Sequence, residues 1–94
     1  MKTVFVYTMD GCPHCVNFKN MLTECGVPFE ERNIDTYDKE YQDFVSVTDN
    51  EYLPAFTLID VTDKSNPMVD LFAPDDHFED LNEATQIVKK FILE

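Results

Sequence analysis

The sequence predicts an α/β fold with the element order β-α-β-α-β-β-α, and three observations support it. An apolar, β-rich segment at residues 2–8 is followed by a helical apolar period over residues 13–25. This strand–helix unit leads into another strand, and such a crossover places its two strands parallel with a right-handed connection. Two later β-rich runs, residues 55–61 and 68–72, flank a turn-rich segment and predict a hairpin. We therefore expect a mixed four-stranded sheet with helices on both faces.

Length and composition indicate one small domain over residues 1–94. The hydrophobic fraction of 44% is ordinary for a globular protein of this size. The opening residues lack signal-peptide character because Asp10 stands where the apolar region of a signal peptide would have to continue after the short strand. No apolar run approaches the length of a membrane span. We therefore expect a cytoplasmic protein, in which a cysteine pair is more often catalytic or metal-binding than structural.

The charge balance limits the partners of the protein. The formal net charge is -12, from 19 Asp and Glu against 7 Lys and Arg. This excess disfavours binding to nucleic acid phosphates or to an anionic membrane. We expect a solvated acidic surface on a monomer, and steering toward a basic partner protein is the alternative role of the charge.

The first helix should begin at Pro13, because a proline at the first helical position lacks an N–H that would have no intrahelical partner there. A turn at residues 9–11 precedes this helix, and Gly26 follows it as a C-terminal stop. Apolar residues recur along the helix at spacings of three and four and predict one buried face. That face comprises Cys15, Phe18, Leu22 and Cys25.

The other elements follow from similar patterns. Residues 28–34 predict the second strand, and Thr36 is placed to cap a second helix over residues 37–47. After the hairpin, Asp75 or Asp76 is placed to cap the last helix. The buried stripe of that helix is expected to comprise Phe78, Leu81, Ala84, Val88 and Phe91.

The stretch Cys12-Pro13-His14-Cys15 carries the chemistry of the chain. Two thiols at this spacing can close a small disulfide and reopen it. The first sulfur would lie in the positive field of the helix N-terminus, which favours its thiolate and makes Cys12 the nucleophile. Cys15 lies one turn further on the same face, so we expect it to be the buried, resolving thiol.

His14 has two interpretations. A cationic or hydrogen-bonding imidazole beside Cys12 would stabilise the thiolate and make the dithiol pair more oxidising. Alternatively, His14 is an exposed helix residue without a redox role. A zinc site made of both cysteines, His14 and His77 is disfavoured, because His77 is isolated far along the chain and is expected on the surface of the last helix. We therefore expect no metal.

Three landmarks in this order resemble the glutaredoxin family, which has a thioredoxin-like fold. They are the motif at residues 12–15; Leu53-Pro54-Ala55-Phe56, which resembles the family's cis-proline loop; and Ala73-Pro74-Asp75-Asp76, where the family usually has Gly-Gly-x-Asp. The resemblance covers essentially the whole chain. It implies a glutathione-dependent dithiol oxidoreductase that reduces protein disulfides or glutathione mixed disulfides.

The same resemblance implies a substrate-binding role for five residues. A cis peptide bond at Pro54 would turn the backbone N–H and C=O of Leu53 toward a substrate that pairs as an added strand. Asp75 and Asp76 would bind the γ-glutamyl amino group of glutathione, with helix capping as the alternative. Tyr7 is expected either to line the substrate groove or to pack in the core.

The chain departs from the family pattern at three places. Met9 stands where glutaredoxins usually have Lys or Arg, Ala73-Pro74 replaces Gly-Gly, and His14 replaces the usual Tyr. These departures favour an alternative function, a thioredoxin-like protein disulfide reductant with weak glutathione binding and a dedicated partner. A third, non-enzymatic interpretation is an iron–sulfur or zinc-binding module. By resemblance to small glutaredoxins, ribonucleotide reductase is a candidate client.

Overall fold

The computed structural model describes residues 2–94 and has the predicted order of elements. Residue 1, where the predicted domain begins, lies outside the described residues. None of the helices in the described part combines the length and apolar character needed to cross a membrane. The elements are β1 (Lys2–Thr8), α1 (Pro13–Glu24), β2 (Glu30–Asn33), α2 (Asp38–Thr48), β3 (Ala55–Asp60), β4 (Met68–Phe72) and α3 (Leu81–Leu93).

The strands form one mixed four-stranded sheet in the order β2-β1-β3-β4. β1 pairs parallel with β2, as the short crossover predicts, and antiparallel with β3. β3 and β4 form the predicted antiparallel hairpin. In the central pair Tyr7 lies opposite Ala55. This register places the loop after β1, which leads to Cys12, beside the Leu53–Pro54 segment that precedes β3.

Side chains alternate between the two faces of the sheet, and helices cover both faces as predicted. Val6 and Phe56 belong to a buried cluster with residues of α1 and α3. Tyr7 belongs to a second cluster, on the opposite face, with Phe44 of α2. The end of β1, from which the loop leads to the motif, is therefore held between two packed layers.

The last helix begins later than predicted, and its predicted cap is wrong. Asp80 caps α3, because its carboxylate accepts a hydrogen bond from the N–H of Glu83 at 2.8 Å. Asp75 has a left-handed φ of 69° and donates its N–H to the carbonyl of Phe78 at 2.8 Å. A tight turn therefore occupies the segment that contains Asp75 and Asp76, and the helix starts only after it.

Two smaller predictions are also wrong. Thr36 does not cap α2, since its N–H bonds to the carbonyl of Asn33 at 3.1 Å within a turn and Tyr37 is the capping residue. Cys25 is exposed rather than buried. It is the last residue before the left-handed turn at Gly26, whose φ is 70°, so it leaves the buried face of α1. Gly26 ends the helix as predicted.

Candidate active site

The motif cysteines, Cys12 and Cys15, are joined by a disulfide at the N-terminus of α1. Their Cα atoms lie 5.3 Å apart. Cys15 is only 1% exposed, whereas Cys12 is partly exposed. Since a sulfur must be reached from solvent before it can be attacked or can attack a client, Cys12 is the accessible member of the pair.

Cys12 is also the N-cap residue of α1. Its Sγ accepts a hydrogen bond from the N–H of Cys15 at 3.2 Å, and its carbonyl accepts one from the N–H of Val16 at 3.2 Å. Pro13 occupies the first helical turn, where its missing N–H costs no hydrogen bond. The local sequence therefore places the first sulfur against free N–H groups and the positive end of the helix dipole, both of which favour an anion.

The loop before the motif is tied to the end of β2. The side-chain amide of Asn33 donates to Oδ1 of Asp10 at 3.1 Å, and its oxygen accepts from the N–H of Asp35 at 2.9 Å. Gly11 has a φ of 74°, a conformation that a residue without Cβ adopts readily. The turn at Gly11 and the Asp10–Asn33 bond together fix where Cys12 enters the helix.

An ion pair joins α1 to β2 next to the motif. Nζ of Lys19 lies 2.8 Å from Oε2 of Glu31, and the hydroxyl of Thr8 donates to the same oxygen at 2.6 Å. The Lys19 ammonium, and then the Thr8 hydroxyl, hold the pKa of Glu31 below its usual value. Lys19 and Glu31 line a groove of about 390 Å³ together with Cys12.

A second groove, of about 400 Å³, lies on the other side of the motif. The exposed His14 lines it together with Tyr52, Leu53 and the buried Pro54. The segment that leads into α3 contributes the remaining lining residues, which are Pro74, Asp75, Phe78, Glu79, Asp80 and Leu81. The Leu53–Pro54 peptide bond is cis. We call this cleft the Pro54 groove.

A wider depression of about 640 Å³ adjoins the Pro54 groove and shares Tyr52 and Asp75 with it. Carboxylates dominate its lining, and among the described residues no Lys or Arg contributes to it. We call it the acidic depression. Its other lining residues are Val45, Asp49, Asn50, Glu51 and Asp76.

Two residues that sequence reasoning did not select organise the loop before α3. The buried side-chain amide of Asn50 donates to the carbonyl of Pro74 at 2.8 Å and to Oδ2 of Asp76 at 3.0 Å. His77 accepts the N–H of Ala73 on its Nδ1 at 3.0 Å. The sequence predicted His77 on the surface of the last helix. This prediction is wrong, because His77 lies in the loop before that helix.

The sequence carries only a weak signal for the role of Asn50. Asn50 follows a helix and precedes Leu53-Pro54, so it is readily taken for an ordinary turn residue. Its partners are 24 and 26 residues further along the chain, and no local pattern reports such a contact.

Tyr7 packs in the core. It is 4% exposed, and its ring lies 5.7 Å from that of Tyr41 and 5.0 Å from that of Phe44, between centroids. Burial, assisted by the neighbouring carboxylate of Glu40, raises the pKa of Tyr7 to about 12. Tyr7 lines neither the Pro54 groove nor the acidic depression. Of its two predicted positions, in the substrate groove or in the core, it therefore occupies the core.

The remaining predicted site residues lie around the disulfide and the two depressions. Within residues 2–94, no group of three or more His, Cys, Asp or Glu side chains is arranged to hold a metal ion. Cys12, Pro13 and Cys15 start α1; His14, Leu53, Pro54 and Asp75 line the Pro54 groove; Asp76 lines the acidic depression.

Comparisons with known proteins agree with this arrangement. A curated relative, glutaredoxin 1 of Rickettsia conorii, is 35% identical over 40 residues, which are 43% of this chain and 39% of the relative. The chain therefore aligns with well under two thirds of that relative's length. The crystal structure of glutaredoxin 1 from Francisella tularensis complexed with cacodylate is similar over 100% of both chains, with a TM-score of 0.54 and 21% identity.

At that identity the structural likeness establishes the shared thioredoxin-like fold, with its mixed sheet and three helices. The family evidence comes from the sequence: the family model described as Glutaredoxin matches residues 4–62. This match covers more than half of the chain and includes both motif cysteines and Pro54. The chain therefore belongs to the glutaredoxin family, whose members are thiol–disulfide oxidoreductases.

Proposed function

We propose that the protein is a dithiol glutaredoxin that uses glutathione to reduce protein disulfides or glutathione mixed disulfides. The observation that carries the proposal is the Cys12–Cys15 disulfide at the start of α1, in which Cys12 is partly exposed and Cys15 is buried. Membership of the glutaredoxin family supports the same chemistry.

In the proposed reaction the thiolate of Cys12 attacks one sulfur of the client disulfide and expels the other sulfur as a thiolate. The N–H of Cys15 and the positive end of α1 favour the attacking anion. Cys15 then attacks the sulfur of Cys12, which releases the second client thiol and closes the internal disulfide. Two electrons pass from the cysteine pair to the client.

Two molecules of glutathione return the pair to the dithiol form. The first forms a mixed disulfide with Cys12, and the second removes it as glutathione disulfide. In this proposal the backbone of Leu53 pairs with the substrate in the Pro54 groove. Asp75 and Asp76 take the γ-glutamyl ammonium group, since both lie in the acidic depression next to the groove.

A second candidate function is protein disulfide reduction driven by a dedicated reductase, with weak glutathione binding. Met9 is exposed where a basic residue is usual in the family, and Ala73, which replaces a glycine, is fully buried. No Lys or Arg of the described residues lines the Pro54 groove or the acidic depression, so the carboxylates of glutathione lack a cationic side chain there.

Glutathione-coupled turnover separates the two candidates. With a mixed disulfide of glutathione and a small thiol, NADPH and glutathione reductase, we expect steady turnover by the wild type. Cys12→Ser should abolish it, because the accessible thiol at the start of α1 is lost, and Cys15→Ser should retain part of it. If turnover occurs only with thioredoxin reductase and a protein disulfide, the glutathione-dependent proposal is wrong and the second candidate is supported.

We further propose that the protein acts as a single-domain monomer in the cytoplasm, with ribonucleotide reductase among its clients. The high negative charge opposes self-association, and cysteine pairs used for catalysis are typical of reducing compartments. Reduction of oxidised ribonucleotide reductase by the reduced protein tests the client. A dimer in light scattering would contradict the monomer.

A further inference from the structure

The Pro54 groove has an acidic rim. Three exposed carboxylates, those of Asp75, Glu79 and Asp80, line the groove. Asp75 also lines the acidic depression, so the two cavities form one continuous acidic surface. His14 is the only His, Lys or Arg of the described residues that lines either cavity.

The floor of the same groove is apolar. Phe78 and Pro54 are buried, Leu53 and Leu81 are half-buried, and Tyr52 is 67% exposed at the edge shared with the depression. An apolar floor under an acidic rim fits a side chain with a hydrocarbon stem and a cationic head. The exposed ring of Tyr52 adds a face on which a cation can stack.

The rim carboxylates are not neutralised by ion pairs within the described part of the protein. The ion pairs there involve Lys19, Arg32 and Lys90, none of which lines the Pro54 groove. Asp80 is engaged in capping α3, but Asp75 and Glu79 are exposed. A cation that arrives at the rim therefore relieves repulsion among these carboxylates instead of breaking existing ion pairs.

We propose that Asp75 and Glu79 select client disulfides whose cysteine is flanked by Lys or Arg. This inference rests on the proposed dithiol exchange and adds a substrate class to it. The client lies along Leu53 with its attacked sulfur at Cys12 and a cationic side chain in the Pro54 groove. The rim takes no part in electron transfer: the client disulfide gains two electrons, and Cys12 and Cys15 lose them.

Matched peptide substrates test the proposal. Two disulfide peptides that differ only in the residues flanking the cysteine, Lys in one and Glu in the other, are reduced by the 94-residue protein with glutathione present. We expect kcat/KM to favour the Lys peptide by roughly tenfold or more at low ionic strength, the lower end of electrostatic steering. The preference should fall as salt is added, because exposed charges are screened.

A double variant assigns the preference to the rim. Asp75→Asn with Glu79→Gln should reduce the ratio of the two kcat/KM values several-fold, and Asn tolerates the left-handed φ of 69° at position 75. The control Glu24→Gln with Asp43→Asn removes the same charge from exposed positions outside the groove. It should keep the ratio of the wild type.

The outcomes separate this proposal from the function on which it rests. Rapid reduction of both peptides at equal kcat/KM would overturn the selectivity and leave the dithiol function intact. Failure to reduce either peptide with glutathione would contradict the proposed function itself. If the control lowers the ratio as much as the rim variant does, the overall charge sets the preference, and the role of Asp75 and Glu79 is overturned.

Discussion

At the scale of single residues, the three cysteines differ in their position on α1, and this position determines their reactivity. Cys12 caps α1 and accepts the N–H of Cys15, which is itself buried in the first turn. Cys25 is exposed at the opposite end of the same helix, where the helix dipole has the opposite sign. Only Cys12 combines exposure with N–H donors, so the geometry distinguishes one nucleophile among the three.

His14 provides a test at the same scale. We expect His14→Tyr to make the reduction potential more negative by roughly 10–30 mV, because the variant removes an imidazole two residues from Cys12 that is proposed to favour the thiolate of the reduced form. Equilibration with glutathione redox buffers measures the change against a family range of about −200 to −230 mV. His14→Gln retains a hydrogen-bonding side chain without a titratable ring and serves as the control. An unchanged potential in His14→Tyr would leave His14 without a redox role.

At the scale of elements, the register of the two central strands assembles the site. Because Tyr7 lies opposite Ala55, the loop after β1, which leads to Cys12, and the loop before β3, which contains Pro54, meet at the same end of the two central strands. The order of elements could be predicted, since the β-rich runs and the helical apolar periods carry local signals. The role of Leu53-Pro54 beside the motif came from the resemblance to glutaredoxins, because neither landmark alone is specific.

Other features could not be predicted because they depend on tertiary contacts. Asp75, Asp76 and Asp80 are all reasonable helix caps by residue type, and only the turn closed between Asp75 and Phe78 selects Asp80. Tyr7 is equally suited to a groove or a core as a strand aromatic. Packing of α2 against its face of the sheet decides that it is buried.

Asn50 offers a test of the loop contacts. Asn50→Ala removes a buried amide that bonds to Pro74 and Asp76, so it should lower the free energy of unfolding by about 1–3 kcal/mol. It should also raise KM for the glutathione mixed disulfide, because the loop that carries Asp76 loses its anchor. Urea denaturation and steady-state kinetics measure both effects. Asn20→Ala, at an exposed position of α1, is the control, and equal stability of the two variants would contradict the anchoring role.

The Lys19–Glu31 pair predicts a dependence of stability on pH. Since Lys19 and Thr8 lower the pKa of Glu31 in the folded state, the pair stabilises the fold above the ordinary value of 4.5, and the stabilisation is lost as the pH falls through the lower folded value. Glu31→Gln should therefore cost at most about 1 kcal/mol near neutral pH, because the pair is partly exposed to solvent.

Chemical denaturation of wild type and Glu31→Gln across this range measures the effect. The difference in unfolding free energy should shrink once the pH falls below 4.5. A difference that stays constant with pH would indicate that Glu31 acts through packing and not through its charge.

At the scale of the whole molecule, the net charge of -12 predicts that salt stabilises the fold. Repulsion among 19 acidic residues outweighs the few exposed ion pairs of the described residues, and salt screens both. Raising KCl from about 0.01 M to 0.2 M should increase Tm by roughly 4–8 °C, the shift expected for about 1 kcal/mol in a domain of this size. Calorimetry measures it, and NaCl controls for ion-specific effects. A fall in Tm would show that ion pairs dominate.

The charge and the fold also act together on clients. The motif at the start of α1 has a groove on each side. One groove contains Lys19 and Glu31, and the other, the Pro54 groove, is more acidic. In the proposed substrate choice, a basic client is attracted by the whole surface and oriented by Asp75 and Glu79. The acidic character of the molecule therefore has a proposed role in substrate choice as well as in solubility.

The central claim, that Cys12 attacks and Cys15 resolves, is tested most directly by trapping the mixed disulfide. Reduced Cys15→Ser, in a Cys25→Ser background that removes the exposed third thiol, is mixed with glutathione disulfide and analysed by intact mass and peptide mapping. We predict one stable glutathione on Cys12, whereas a protein that retains Cys15 should instead end as the internal disulfide. Equal or faster modification of Cys15 in Cys12→Ser, in the same background, would contradict the assignment.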